Sequence, residues 1–155
     1  AVGGFAGEVT VRGLELEATA SLTAWDIIGN YTYTDGKVTG SSDPTDPILN
    51  KRVFSVPEHS AALWAVHKFK VGNTSGFRAG AGVRYVGKSW DGEDKLATPS
   101  HTLLDAMFSF DDGPWRYTVN ATNLTDKIYF STCVARGDCW YGNRRKVVAT
   151  LSYRW

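Results

Sequence analysis

A chain of 155 residues with a formal net charge of +1 is one domain at most and has no charge imbalance with which to hold a nucleic acid or another polyanion. Its mean hydropathy is -0.25, and it contains no run of about 20 apolar residues, which excludes a helical membrane span. The 16 glycines, 6 tryptophans, 7 tyrosines and 7 phenylalanines make a turn-rich, aromatic-rich profile of the kind strands use.

The chain opens on Ala1-Val2-Gly3-Gly4, with no charged and apolar leader to read as a targeting segment. The first alternating run is Arg12 to Leu22, where Leu14, Leu16, Ala18, Ala20 and Leu22 oppose Glu15, Glu17, Thr19 and Ser21. After a short turn at Thr23-Ala24, Trp25 to Asp35 sets Trp25, Ile27, Tyr31 and Tyr33 against Asp26, Asn30, Thr32 and Thr34, so the two runs form a hairpin. Gly36 to Pro57, with Asp-Gly and two Asp-Pro pairs, reads as a long loop. A third run covers Glu58 to Phe69. A turn at 72–76 leads to a fourth, Phe77 to Lys88, with Phe77, Ala79, Ala81, Val83 and Tyr85 opposite Arg78, Gly80, Gly82 and Arg84. Ser89 to Ser100 is a second long loop. His101 to Phe110 and Trp115 to Leu124 flank a short turn at Asp111-Asp112-Gly113-Pro114, and Thr125 to Arg144 is a third long loop before the last run, Arg145 to Trp155.

That last run alternates strictly: Val147, Ala149, Leu151, Tyr153 and Trp155 fall on one face, and Lys146, Val148, Thr150, Ser152 and Arg154 on the other. A strand apolar on one side and polar on the other, repeated throughout, is what a transmembrane β-barrel with a hydrated interior requires. The opposite parity in the fourth run would put Arg78 or Arg84 into lipid, at a cost of up to about 2–4 kcal/mol near the midplane. Turn lengths alternate short and long, which segregates the turns near 24, 73 and 112 to the periplasmic end and the loops near 45, 95 and 135 to the extracellular end. About seven strands are legible, whereas single-chain bacterial barrels have even numbers from about 8 upward. Unless Gly4 to Val9 adds a strand, the sequence describes the C-terminal part of a larger barrel.

Cys133 and Cys139 flank Val-Ala-Arg-Gly-Asp. They read as a disulfide across a loop tip in an oxidising compartment, worth less than the roughly 3 kcal/mol of a 15-residue loop. Free thiols or half of a zinc site are the alternatives, although no nearby His or further Cys completes a ligand set. His59, His67 and His101 sit on different runs without ligand-type spacing, so no metal site is expected. Arg136-Gly137-Asp138 is turn chemistry, the four N-x-[ST] triplets are weak motifs, and Glu15 and Glu17 share one face as a hydrated wall would have them. No Ser-His-Asp or Gly-x-Ser-x-Gly arrangement points to an enzyme.

Six segments carry a resemblance: Gly7-Glu8-Val9 with Arg12-Gly13-Leu14-Glu15-Leu16-Glu17-Ala18; Tyr31-Thr32-Tyr33-Thr34-Asp35; Val56-Pro57-Glu58-His59 running into Ala61-Ala62-Leu63-Trp64; Gly80-Ala81-Gly82-Val83-Arg84-Tyr85-Val86-Gly87; Val119 through Tyr129; and Tyr141-Gly142 through Trp155. In this order and spacing they resemble the C-terminal end of a TonB-dependent ferric-siderophore receptor, most like the ferrichrome and ferrioxamine branch, over nearly all of residues 1–155. The resemblance implies an all-β antiparallel barrel of about 22 strands, a plug that this chain lacks, and a place in the bacterial outer membrane. It further implies uptake of a ferric siderophore, of hydroxamate type, energised through the plug by the TonB-ExbB-ExbD complex, with no cofactor of the protein's own. By the same resemblance the bridged last loop reaches over the ligand, which nominates Tyr129, Phe130, Trp140 and Tyr141, then Trp90, as ligand contacts. Val134 stands where some relatives carry an aromatic. Tyr153 and Trp155 resemble the strand-end signal read by the barrel-assembly machinery. Competing readings are a small stand-alone outer-membrane barrel acting as an adhesin or structural protein, and a secreted soluble β-barrel, which the loop asymmetry disfavours.

Overall fold

The computed structural model describes residues 7–155, which hold eleven strands and no helix. Seven form one antiparallel sheet: β1 (Gly7–Ser21), β2 (Trp25–Ser41), β3 (His59–Val71), β4 (Thr74–Val86), β7 (His101–Asp112), β8 (Trp115–Thr122) and β11 (Lys146–Tyr153), in that spatial order. Neighbours in sequence are neighbours in space, an up-and-down meander with short turns at one end and long connections at the other. The long connections carry two small ribbons, β5 (Ser89–Trp90) with β6 (Ala97–Thr98), and β9 (Phe130–Cys133) with β10 (Cys139–Tyr141).

The expected runs recur with four corrections, the first being that β1 begins at Gly7, ahead of Arg12. β2 continues to Ser41, six residues beyond Asp35, because Gly36 to Ser41 pairs with Gly7 to Val11 in a hairpin taller than the alternation suggested. The turn between β3 and β4 tightens to Gly72-Asn73, with Gly72 at a φ of 59°, and Thr74 to Gly76 join the strand. The second and third long loops are not structureless, since each folds onto its own ribbon. Of the segment considered for an extra strand, Gly7 to Val9 belong to β1 itself and residues 4–6 lie outside the described residues.

The pairing register puts one parity of every strand on a single face. Val147 lies opposite Ala121, then Ala106, Ala81, Ala65, Ile27 and Ala20, a row of apolar side chains across all seven strands. The other face carries the row Thr150, Thr118, Ser109, Arg78 and Lys68. Among the described residues only Leu103 and Cys133 are buried hydrophobics, while Leu14, Leu16, Leu63, Val147 and Leu151 are each more than half exposed. An apolar face this large has no partner among the described residues, which is the arrangement of a sheet whose solvent on that side is hydrocarbon.

Aromatic rings cluster at both ends of that face. At the short-turn end Trp25 packs on His67 at 4.4 Å, Phe77 on Phe110 at 4.4 Å and Trp115 on Tyr153 at 4.8 Å between ring centres. At the other end Tyr33 meets His59 at 5.2 Å, and the Tyr31 hydroxyl shares a hydrogen bond with His59 Nδ1 at 2.9 Å. Phe77 and Tyr85 lie eight positions apart on β4, which at about 3.4 Å per residue and a tilt of roughly 40° spans about 20 Å, close to the apolar band of about 25 Å of such barrels.

The polar face is held by cross-strand ion pairs and one aromatic. Asp111 takes Arg78 at 2.9 Å and Arg116 at 2.5 Å, and Lys68 reaches Asp26 at 2.6 Å. Trp64 lies flat on β4, where a Cβ on Gly82 would fall 1.9 Å from its Cε3 and one on Gly80 3.2 Å from its Cζ2. Two glycines in mid-strand, which normally weaken pairing, are here the floor under an indole.

Candidate functional site

The polar face and the long connections meet at the top of β4, β7 and β8, where the side chains are most densely hydrogen-bonded. Asp105 is nearly buried and accepts two hydrogen bonds from Arg84, at 2.5 and 3.0 Å, and one from the backbone N–H of Asn123 at 2.9 Å. Asn123 adopts a φ of 50°, a left-handed conformation that Asn tolerates. Its side chain then receives the Lys127 amide at 2.8 Å and donates to the carbonyls of Lys127 and Asn143 at 2.8 and 3.0 Å. Asp126, at a φ of 54°, closes the same turn through its amide to the Asn123 carbonyl. Asn and Asp three apart are therefore the device that turns the chain off β8 and into the third loop.

Beyond that turn, Asp126 accepts a forked pair of bonds from Arg144 at 2.8 and 2.6 Å and another from the Arg145 amide at 2.9 Å. The guanidinium and the amide hold its carboxyl well below the usual carboxylate range. Between these parts lies a cavity of about 300 Å³ bounded by Arg84, Asp105, Asn123, Tyr129, Asn143 and Arg144. Tyr129 packs tilted against His101, with ring centres 4.2 Å apart, and lies over Gly142, where a Cβ would meet its ring at 2.0 Å.

The Cys133–Cys139 disulfide is formed, closing the β9–β10 ribbon directly across its first pair. Phe130 and Tyr141 stack across the ribbon at 4.9 Å, and Tyr141 is 68% exposed. Trp140, also exposed, stands opposite Thr132, the next pair along the ribbon. The expected contact residues Tyr129, Phe130, Trp140 and Tyr141 therefore share one ribbon and its stem. Trp90 is on a different loop, half-buried, with the Arg52 guanidinium 4.7 Å from its ring centre.

Arg52, Thr98, Asp105 and the pairs made by Arg84 and Arg144 were not among the expected site residues. Asn123 and Asp126 carried a signal, Asx chemistry after a strand, but the partners they meet are 18 to 20 residues away in sequence. An apolar groove of about 430 Å³ between Leu16, Tyr31, Leu63, Val83 and Tyr85 belongs to the outward, apolar face and not to this region. Among the described residues no three His, Cys, Asp or Glu side chains are grouped to hold a metal ion.

A seven-stranded, outwardly apolar meander with long looped connections at one end defines a segment of a transmembrane barrel, and the chain belongs to the TonB-dependent receptors, since the family described as TonB dependent receptor-like, beta-barrel matches residues 2–124. Two curated relatives are the ferrichrome outer membrane transporter/phage receptor of Escherichia coli K12 and the ferrioxamine receptor of Yersinia enterocolitica, each 36% identical across 96% of this chain. The chain spans only 20% and 21% of their lengths. Among solved structures, the siderophore receptor PiuA from Acinetobacter baumannii superposes with a TM-score of 0.77 at 26% identity, over 95% of this chain and 22% of that one.

Proposed function

We propose that the chain is the C-terminal barrel segment of an outer-membrane receptor for ferric siderophores of the hydroxamate class, driven in the complete protein by the TonB-ExbB-ExbD complex acting on a plug. The observation that carries the reading is family membership together with relatives named for ferrichrome and ferrioxamine. The alternation of β11 up to Tyr153, with Trp155 two residues beyond it, supports recognition by the barrel-assembly machinery. A stand-alone small barrel is disfavoured because β1 and β11 each leave an edge unpaired among the described residues, and unpaired backbone in lipid costs several kcal/mol per group.

The rim carries both paired and free cations. In the loops and upper wall Arg52 is matched by Glu58 and Asp94, Arg84 by Asp105, Arg136 by Asp138 and Arg144 by Asp126. Among the described residues, Lys51, Lys88, Lys127 and Arg145 of the same region keep free cations beside these pairs, so the hydroxamate choice rests on the named relatives and not on rim charge. Trp140, Tyr141 and Phe130 supply the apolar contact area, and Tyr129 a hydroxyl at the cavity.

The test is binding of a ferric trihydroxamate and a ferric triscatecholate to the full-length receptor in detergent, followed by tryptophan quenching. The trihydroxamate binds more tightly, and Trp140→Ala and Tyr141→Ala each weaken it by about thirtyfold, as truncated aromatic anchors do. Preference for the catecholate overturns the ligand class, and no binding of either overturns the receptor reading.

A further inference from the structure

The three long outer connections are bonded to one another in series. In the first, 50–53 folds back onto the top of β2, the Val53 amide donating to the Gly36 carbonyl at 3.0 Å and the Asn50 amide to the Val38 carbonyl at 2.8 Å. From there the Ser55 amide donates to the Trp90 carbonyl at 2.9 Å, while Arg52 covers the Trp90 ring and reaches Asp94 at 3.4 Å. Trp90 and Ser89 pair with Ala97 and Thr98 in the second connection. The tip of that ribbon is braced by Asp91, whose carboxylate takes the amides of Glu93, Lys95 and Leu96. Thr98 is buried, and its hydroxyl oxygen accepts the amide of Cys133, also buried, at 2.9 Å. Cys133 is one end of the disulfide that sets the β9–β10 ribbon of the third connection.

We infer that Thr98 is a joint through which the disulfide ribbon holds the connection between β2 and β3 in place, so that the three outer loops open and close as one body. The Ser55–Trp90 and Cys133–Thr98 links are bonds made by backbone or buried atoms, and the Arg52 side chain braces the first of them through the Trp90 ring and Asp94. Such an arrangement gives two-loop coupling that a surface ion pair would not, because exposed pairs contribute little, whereas a buried amide without its acceptor costs more than the bond itself is worth. A ligand that engages the ribbon through Trp140 or Tyr141 would thereby bias the position of Ser55, two loops away. The inference concerns the loops alone and stands whichever ligand the receptor takes.

Hydrogen exchange on the full-length receptor in detergent tests it, with the Ser55 and Cys133 amides as reporters and the Ala65 amide, inside the sheet, as the measure of an intact barrel. Thr98→Val accelerates exchange at Ser55 as well as at Cys133, by about tenfold or more, with Ala65 unchanged. Cys133→Ser with Cys139→Ser does the same, the effects of the two changes do not add, and Thr98→Ser, which keeps the hydroxyl, behaves as wild type. Coupling is reciprocal, so Arg52→Met loosens Cys133 from the opposite end, and this arm decides the matter if a cysteine variant loses Ala65 protection. Loosening confined to the altered loop in both Thr98→Val and Arg52→Met overturns the inference.

Discussion

Replacing Asp105 with Ala removes the acceptor of three hydrogen bonds at once. The loss on the Arg84 side is small, because that side chain is 45% exposed and water takes over its donors, leaving about 1 kcal/mol. The loss on the Asn123 side is larger. Asn123 is 2% exposed, and an orphaned buried N–H costs about 1–3 kcal/mol. The sum, about 2–4 kcal/mol, falls on the turn that starts the third loop. At about 1.4 kcal/mol per factor of ten it raises local opening by roughly thirtyfold to several hundredfold. Exchange of the Asn123, Leu124 and Lys127 amides in the full-length receptor reads that opening directly. Asp105→Asn keeps an oxygen for the Asn123 amide while giving up the charge, so its exchange rises by less than about tenfold. Equal effects of the Asn and Ala variants would refute the division, because the lost ion pair and not the orphaned amide would then carry the cost. An increase below about threefold for Asp105→Ala would refute the whole account.

Leu151→Arg places a cation on the lipid side of β11 and costs about 2–4 kcal/mol near the midplane, whereas Thr150→Arg on the opposite face is tolerated; urea titration of receptor folded into lipid vesicles separates the two. Gly82→Val drives a side chain into the space of the Trp64 indole and destabilises by about 1–3 kcal/mol, and adding Trp64→Ala recovers most of the loss in the same titration. The Asp91 carboxylate lies below its ordinary range although burial opposes ionisation, because the amides of Glu93, Leu96 and Lys95 outweigh it, and Asp126 is depressed by Arg144 and the Arg145 amide. A depressed carboxylate contributes its stability above the unfolded pKa of about 3.9 and loses it as pH falls through the folded value. Loop protection therefore stays constant from pH 7 to about 4 and declines only in stronger acid; a loss centred near pH 6 would point to histidine instead.

What was legible in the sequence tracks where the two faces of a strand meet different solvents. From Phe77 to Tyr85 one side chain in two meets hydrocarbon, and the alternation shows parity, strand and end. Gly36 to Ser41 has the same ladder pairing with β1, but residues 50–53 fold over it and two of its six residues are glycines, so its side chains carry no period and the segment read as loop. The ribbons β5–β6 and β9–β10 are two to four residues per strand and are organised by an Asp side chain and by a disulfide, neither of which leaves a hydrophobic rhythm. Cys133 and Cys139 were readable as a bridge because both partners lie in one short loop. The stacking of Arg52 on Trp90 was not readable, since it joins residues of two separate connections whose approach only the folded sheet determines.

The outward row from Val147 to Ala20 has a bearing on how this surface tolerates change. In a water-soluble protein, trimming an interior side chain leaves a hole that rigid neighbours cannot fill, and the vacancy adds to the cost. Here the neighbours on that side are fluid chains that flow into whatever room is left. Contact area is lost but no void persists, so size matters less than polarity. Such a face can drift among Ala, Val, Leu and Gly while the polar wall behind it, with Asp105, Asp111 and the glycine floor under Trp64, is held to shape. The rigid, position-specific part of this fold is its wet side, and its oily side is the adaptable one.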